Sequence, residues 1–324
     1  MTRSGRLKAP LFWLIIFAML CLHGANVFSQ NGETEFNTGN ESLRKKDFRQ
    51  AVLHFSKAIS ANGGETEYYL RRGEAYMRLS LYQLAYDDLN EAIKRKTEIG
   101  EAYLFRSEIY MLIKQPQKAL DDLDMAVKYA PSDSIRFQSY FNRGSVRMDL
   151  RDFAGSYEDS KKYFDHDSTN VGVLVNMGLS KFELKEDSIA FRCMRLALEK
   201  TPNDTAALAN MGFMNLQREK YDSALLYLKK CQKMDPEQPY MLSNLAYAQL
   251  KTGQPKEAMM NINKSINHLP NNPWAYRNRG YIYLAKGEKD KACEDFRRAV
   301  KLGFNERYGT EVEDLILKEC QKKK

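Results

Sequence analysis

Outside the N-terminal leader the chain has three histidines, His54, His166 and His268, and these are the first residues to test for chemistry. Metal ligation or general acid–base work needs such groups brought together, as in H-E-x-x-H on one helix face or beside a nucleophile in G-x-S-x-G. Neither motif occurs, and the three histidines stand more than 100 residues apart. Cys193, Cys231, Cys293 and Cys320 form no C-x-x-C pair, so neither a zinc site nor a thiol-redox motif has support. Asp87-Asp88 and Asp121-Asp122 are paired carboxylates. At helical spacing they read as solvated charge on an outward face. No glycine-rich loop of the kind that cradles phosphate is present. The expectation is a chain that is not an enzyme, with no catalytic residue, no metal and no cofactor.

Chemistry of another kind is legible in the amides. Asn142 is followed at a constant step of 34 by Asn176, Asn210, Asn244 and Asn278. An Asn side chain offers a donor and an acceptor at once. A row of them can pair with the backbone of an extended peptide, whatever its sequence. Three residues beyond the last three of these lie Phe213, Tyr247 and Tyr281, and Trp274 and Arg277 fall beside Asn278. Large aromatics that face solvent commonly anchor binding surfaces.

The elements that would position these residues follow from the same period. Gly39, Gly73, Ser107, Gly144, Gly178, Gly212, Ala246 and Gly280 are all small, and six of the seven steps between them are 34, the other being 37. Twelve residues after each comes another small residue: Ala51, Ala85, Ala119, Ser156, Ala190, Ala224, Ala258 and Ala292. Two coupled ladders of this sort predict paired antiparallel helices, A and B, whose backbones approach closely. Counting slots from residues 32, 66, 100, 137, 171, 205, 239 and 273, the small residues occupy slots 8 and 20. Bulky residues fill slots 4 and 24, and Pro131, Pro202, Pro236 and Pro270 fall at slot 32, where a proline ends helix B.

The stretches LANMGFMNLQREKYDSALLYLKKCQKMDP from Leu208 and YRNRGYIYLAKGEKDKACEDFRRAV from Tyr276 carry this pattern most fully. They resemble the tetratricopeptide repeat, and the likeness extends over residues 32–306. It implies an all-α solenoid, a right-handed superhelix of eight helix–turn–helix repeats whose A helices line a concave groove. It also implies a protein–protein interaction scaffold that takes a protein or peptide partner. Slots 2, 5, 6 and 9 would face the groove. On that footing the partner-binding candidates are Asn142, Asn176, Asn210, Asn244, Asn278, Phe213, Tyr247, Tyr281, Trp274 and Arg277. The row is similar to the asparagine ladder of some superhelical members of the family. The competing reading is that Asn at slot 6 serves helix packing and that some of the rings pack on neighbouring repeats. The Lys/Asn clamp of the chaperone-tail-binding members is missing: Phe36 and Glu101 both stand where it wants Lys, and in the first two units only Asn40 fits. Two other roles stay open. One is a structural or assembly subunit of an envelope or secretion complex, docking by its convex face or ends. The other is a glycan-binding module, since exposed aromatics also stack on sugars.

The two ends differ from the repeats. Arg3, Arg6 and Lys8 precede an uncharged run from Leu11 to Leu22. Twelve helical residues reach ~18 Å at ~1.5 Å each, short of the ~30 Å hydrocarbon core. A signal peptide over residues 1–29, cleaved before Gln30, is expected, with an uncleaved signal anchor as the alternative. Leu20 before Cys21 disfavours a lipoprotein. Export to the periplasm or cell envelope follows. Without the leader the net charge of +8 becomes +5, from 47 basic against 42 acidic residues. That balance, with no clustered basic stripe, speaks against a nucleic-acid partner.

At the other end Val312, Leu315, Ile316 and Cys320 recur at helical spacing, with Glu311, Glu313, Asp314, Lys318 and Glu319 turned away from them. This is the cap a solenoid needs over its last apolar face. Cys320 on that face and Cys293 in the last B helix either form a disulfide or remain two buried thiols. Ser156, Ser160 and Tyr163 make repeat 4 the poorest match, and it follows a three-residue insertion around residues 134–136. The expected organisation is repeats 1–3 over 32–136, repeats 4–8 over 137–306 and a cap with a basic tail over 307–324.

Overall fold

A computed structural model describes residues 31–320, and among these there is no strand. The leader expected over 1–29, its cleavage site and the final residues 321–324 lie outside the described residues. In chain order the helices are α1 (31–44), α2 (Phe48–Ala61), α3 (Thr66–Arg78), α4 (Tyr82–Arg95), α5 (Gly100–Leu112), α6 (Pro116–Lys128), α7 (Asp133–Asp149) and α8 (Phe153–His166). They continue with α9 (Val171–Glu183), α10 (Asp187–Lys200), α11 (Thr205–Gln217), α12 (Tyr221–Met234), α13 (Pro239–Lys251), α14 (Pro255–His268), α15 (Pro273–Ala285) and α16 (Lys289–Lys301). Odd-numbered helices are the A helices of the repeats and even-numbered ones the B helices. Two short helices, α17 (Phe304–Tyr308) and α18 (Glu311–Glu319), follow the last repeat.

The chain divides into two compact units between Tyr163 and Phe164. The expected division at 136/137 is not where they part. The insertion is absorbed instead as an extra turn at the front of α7, which has 17 residues where the other A helices of repeats 2 to 8 have 13. Ser132 caps that longer helix by accepting from the Ile135 N–H. Within each unit successive A helices touch, α3 with α5 and α5 with α7 in the first, α9 through α15 in the second. The successive B helices α4 and α6 in the first unit, and α10, α12, α14 and α16 in the second, do not come comparably close, so in each unit the A helices form the inner side of the stack.

Local sequence sets the helix ends. Asp47, Asn170, Asp204, Gln238 and Asn272 cap the helices that follow them with side-chain acceptors. Pro116, Pro239, Pro255 and Pro273 sit in the first helical turn, where the missing N–H has no partner to lose. Every A–B turn passes through one left-handed residue at slot 15: Lys46, Ser80, Lys114, Arg151, Lys185, Glu219, Gly253 and Gly287. The next N–H returns to the carbonyl five residues back, as from Leu81 to Tyr76 at 2.9 Å and from Gln254 to Gln249 at 2.8 Å.

The small residue at slot 8 makes room chiefly for the slot-24 side chain. A Cβ at Gly280 would lie 2.4 Å from Cε1 of Phe296, and one at Gly212 would lie 2.5 Å from Cγ of Leu228. The slot-20 carbonyl is the second neighbour, as for Ala190 beside Gly178 at 3.2 Å. Gly280→Ala is therefore expected to lower the urea midpoint of the second unit. Overpacking against the Phe296 ring costs ~1–3 kcal/mol, more than the ~1 kcal/mol of helix propensity that alanine returns. An unchanged or raised midpoint would mean that the ring swings aside.

A second ladder holds A to B, and it corrects the reading of Asp88 and Asp122 as solvated charge. Both are buried, at 6% and 5% exposure. Arg72 grips Asp88 through two nitrogens at 2.7 and 2.8 Å, and Arg106 grips Asp122 at 2.8 and 2.7 Å. Arg143 with Asp159 and Arg279 with Asp295 repeat the arrangement. Each of these arginines, at slot 7, reaches slot 23 of its own B helix. Its remaining nitrogen bonds slot 25 of the preceding one: Ser56, Asn90, Asp124 or Asn263. The guanidinium also lies over the slot-4 ring of Tyr69, Tyr103, Tyr140 or Tyr276, at 5.4–5.9 Å. The hydrogen bonds to Asp88 and Asp295 hold Arg72 and Arg279 firmly in their charged forms.

Candidate functional site

The inner face of the first unit spends its polar groups on itself. Arg71, at slot 6 of repeat 2, is ringed by Glu67 at 2.9 Å, Glu74 at 3.1 Å and Glu101 at 2.9 Å. Asn142 is buried, with Glu108 beside it. Burial pushes the Glu101 and Glu108 carboxyls above the usual carboxylate range.

In the second unit the expected residues fall into two groups. Asn210 and Asn244 are half-buried, one repeat apart on α11 and α13, and neither amide bonds another described residue. Asn176 is half-buried on α9. Phe213 lies edge-on to Phe182 with centroids 6.1 Å apart. Tyr247 stands between Tyr221 at 6.4 Å and Tyr281 at 5.7 Å, and the Lys251 ammonium lies 5.4–5.9 Å from these three rings. This stretch offers open amides, ring edges and a cation.

The other group is tied up at the last repeat. Arg277 is 8% exposed. Its guanidinium lies 4.8 Å from the ring centroids of Tyr247 and Tyr281 and 5.1 Å from that of Trp274. Nη2 donates to Glu311, and Nη1 donates to the Asn278 Oδ1 at 2.9 Å. Asn278 is fully engaged, its Nδ2 donating to the Ser243 carbonyl at 3.1 Å and hydroxyl at 3.0 Å. The Tyr281 hydroxyl donates to Glu311 at 2.7 Å. Burial raises the phenol pKa of Tyr247 and of Tyr281, and the bond to Glu311 adds to the latter. Trp274 is packed on Phe304 at 4.9 Å and Tyr308 at 4.8 Å.

Glu311 corrects the reading of the cap, because it turns in to the Arg277–Tyr281 pair instead of facing away. Its helix, α18, seats Val312 with Phe304 against Ala292, Phe296 and Ala299. A disulfide joins Cys293 to Cys320, with S–S 2.07 Å and Cα–Cα 5.6 Å. Cys193 and Cys231 are buried free thiols, and burial raises both pKa values. Sequence reasoning missed Glu311, Lys251 and Tyr221. Glu311 is one step of 34 beyond Arg277, which was the available signal. Among the described residues no group of three or more His, Cys, Asp or Glu side chains is placed to hold a metal.

Tetratricopeptide-repeat family profiles match residues 36–98 and 273–305. Among curated proteins, the Hsp70-Hsp90 organizing protein 1 of Arabidopsis thaliana is 33% identical over 61 residues, 19% of this chain and 11% of the relative. The chain thus spans about a tenth of the length of the curated relatives it matches. Among solved structures, the APC/C hetero-tetramer Cut9–Hcn1 aligns with TM-score 0.64 at 12% identity, over 86% of this chain and 54% of that one. A thermophilic tetratricopeptide-repeat protein of Thermus thermophilus aligns with TM-score 0.50 at 16% identity, over 57% of this chain and 100% of its own. With its 34-residue period and its stacked helical hairpins, the chain carries tetratricopeptide repeats at residues 36–98 and 273–305 and has the fold of a tetratricopeptide-repeat solenoid.

Proposed function

We propose that the chain is a non-enzymatic scaffold that holds an extended segment of a partner protein along the inner face of the second unit, on α11 and α13. The observation that carries this reading is the pair Asn210 and Asn244. Their amides are half-buried, one repeat apart and unused by any other described residue, with Phe213 and Tyr247 one turn further on. A polar group left half-buried without a protein partner is costly unless water or a ligand completes it. The peptide backbone supplies the needed donor and acceptor. The matched stretch of the organizing proteins accords with a scaffold role. The scaffold works outside the cytoplasm, a reading that rests on the leader in the sequence and gains support from the Cys293–Cys320 disulfide.

Because these two amides bond nothing else in the described chain, Asn210→Ala with Asn244→Ala should leave the thermal midpoint within about 1 °C of wild type. The same variant should cut partner recovery from envelope extracts at least about tenfold, as loss of one or two buried hydrogen bonds implies. Undiminished recovery would remove the reading. A second reading, docking through the outer face, is favoured by Leu226 and Met260. They occupy slot 22 of neighbouring B helices and are 69% and 65% exposed. Leu226→Ser with Met260→Ser should leave recovery intact under the first reading and abolish it under the second.

A further inference from the structure

The cap does more at the inner face than cover apolar surface. Resting on the groove reading above, we propose that Glu311 is a built-in occupant of a carboxylate site at the C-terminal end of that face. An acidic side chain of the partner segment takes its place when α18 lifts away.

The arginine and the rings of the cage come from the repeats, with Trp274 buttressed by Phe304 and Tyr308 of α17. Arg277, Trp274 and Tyr281 come from α15 and Tyr247 from α13, and together they hold the guanidinium between rings. Only Glu311 comes from α18. It reaches in from the solvent side, its side chain 40% exposed against 10% for Arg277, and one oxygen accepts from both Arg277 Nη2 and the Tyr281 hydroxyl. The second carboxylate oxygen bonds neither. A pair built only for stability would use the arginine fully. Here the Arg277 Nε–H is buried with no hydrogen-bond partner among the described residues. One donor in the cage is therefore unclaimed while its carboxylate sits off to one side. Lys251 adds a second cation over Tyr247 and Tyr281, and it has no ion pair with a described carboxylate. The half-buried Asn210–Asn244 stretch leads to this cage through Tyr247, so an extended segment lying on the amides would carry an acidic residue to it.

The disulfide decides how hard the occupant is to displace. Cys293–Cys320 ties the C-terminal end of α18 to α16, and Val312 anchors its first turn. Tethered in this way, Glu311 competes as an intramolecular ligand at high effective concentration. Free acidic segments must outcompete it, and removing either its charge or its tether lowers that barrier.

The test uses the full chain and two fluorescent peptides, N-acetylated and C-amidated: one alternating Glu and Ala, the other its Gln/Ala twin. Glu311→Gln keeps α18, the disulfide and the apolar seat. It is expected to bind the Glu peptide about tenfold or more tighter than wild type, the scale of losing an intramolecular competitor. Cys293→Ser with Cys320→Ser should do the same. The Gln twin should show no gain. Adding Arg277→Gln to Glu311→Gln should erase the gain, with circular dichroism confirming an unchanged helix content. No gain in Glu311→Gln, a gain that survives Arg277→Gln, or an equal gain for the Gln twin would each overturn the proposal. If Asn210→Ala with Asn244→Ala abolishes partner recovery while Glu311→Gln changes nothing, the groove reading stands and this one falls.

Discussion

Arg106→Met should cost the first unit ~3–5 kcal/mol, because it leaves the Asp122 carboxylate buried without its counter-charge. The chain contains its own control. At slots 7 and 23, where repeats 2, 3, 4 and 8 carry Arg and Asp, repeats 5, 6 and 7 carry Met177 with Cys193, Met211 with Tyr227 and Leu245 with Asn261. Both members change together in every case. That is the pattern expected if either charge alone is intolerable and the pair as a whole is replaceable. Arg106→Met with Asp122→Cys copies the solution of repeat 5 and should recover most of the loss. Hydrogen exchange of the amides of α5 and α6 reads both variants, since a repeat stack need not unfold as one cooperative body. Equal losses in the single and double variants would show that Asp122 can hydrate, and the clasp would then be ornamental.

Removal of residues 304–324, with Cys293→Ser to eliminate the freed thiol, is expected to strip protection from α15 and α16. Phe304 and Val312 are fully buried, and each contributes ~1.5–3 kcal/mol when removed from water. The lost disulfide adds ~2–4 kcal/mol. Trp274 loses both of its aromatic neighbours, Phe304 and Tyr308. The effect should decay along the stack, so that α9 and α10 exchange as in the full chain. Loss of protection spread evenly over the second unit would instead mean that it opens as one body. The uncovered face of Phe296 and Ala299 should also promote self-association, measurable by light scattering.

The architecture was legible because close packing writes itself into residue size. Slots 8 and 20 admit only small side chains, and the 34-residue step follows from them directly. The charged clasp was equally periodic, yet it stayed hidden. Asp88 and Asp122 each follow another aspartate, and a run of acids on a helix ordinarily means solvent. The information lay in their correlation with Arg72 and Arg106 sixteen residues earlier, which a face-by-face reading does not test. The A–B turns were hidden for another reason. Six of the eight left-handed positions carry Lys, Ser, Arg or Glu, with φ between 55° and 65°, so the usual glycine signal is absent. Hairpin packing imposes the turn there against a local preference of ~1–2 kcal/mol. Of the site, the positions were visible and their engagement was not. Asn244 and Asn278 look identical in sequence, but Ser243 and Arg277 consume the amide of Asn278 and leave that of Asn244.

The uneven distribution of the Arg–Asp clasp gives the two kinds of repeat opposite responses to temperature. Repeats 5, 6 and 7 join their helices through Met177, Met211 and Leu245, and apolar attraction of that sort fades on chilling. The penalty for keeping Arg72, Arg106, Arg143 and Arg279 away from water shrinks on heating, so the clasped repeats gain in relative strength as the chain warms. Near freezing, α9 to α14 should therefore be the first helices to loosen, and these include the ones that carry Asn210 and Asn244. An organism that keeps this protein in the cold would need a longer apolar seam there, while one living in heat would do better to extend the clasp through the middle of the chain.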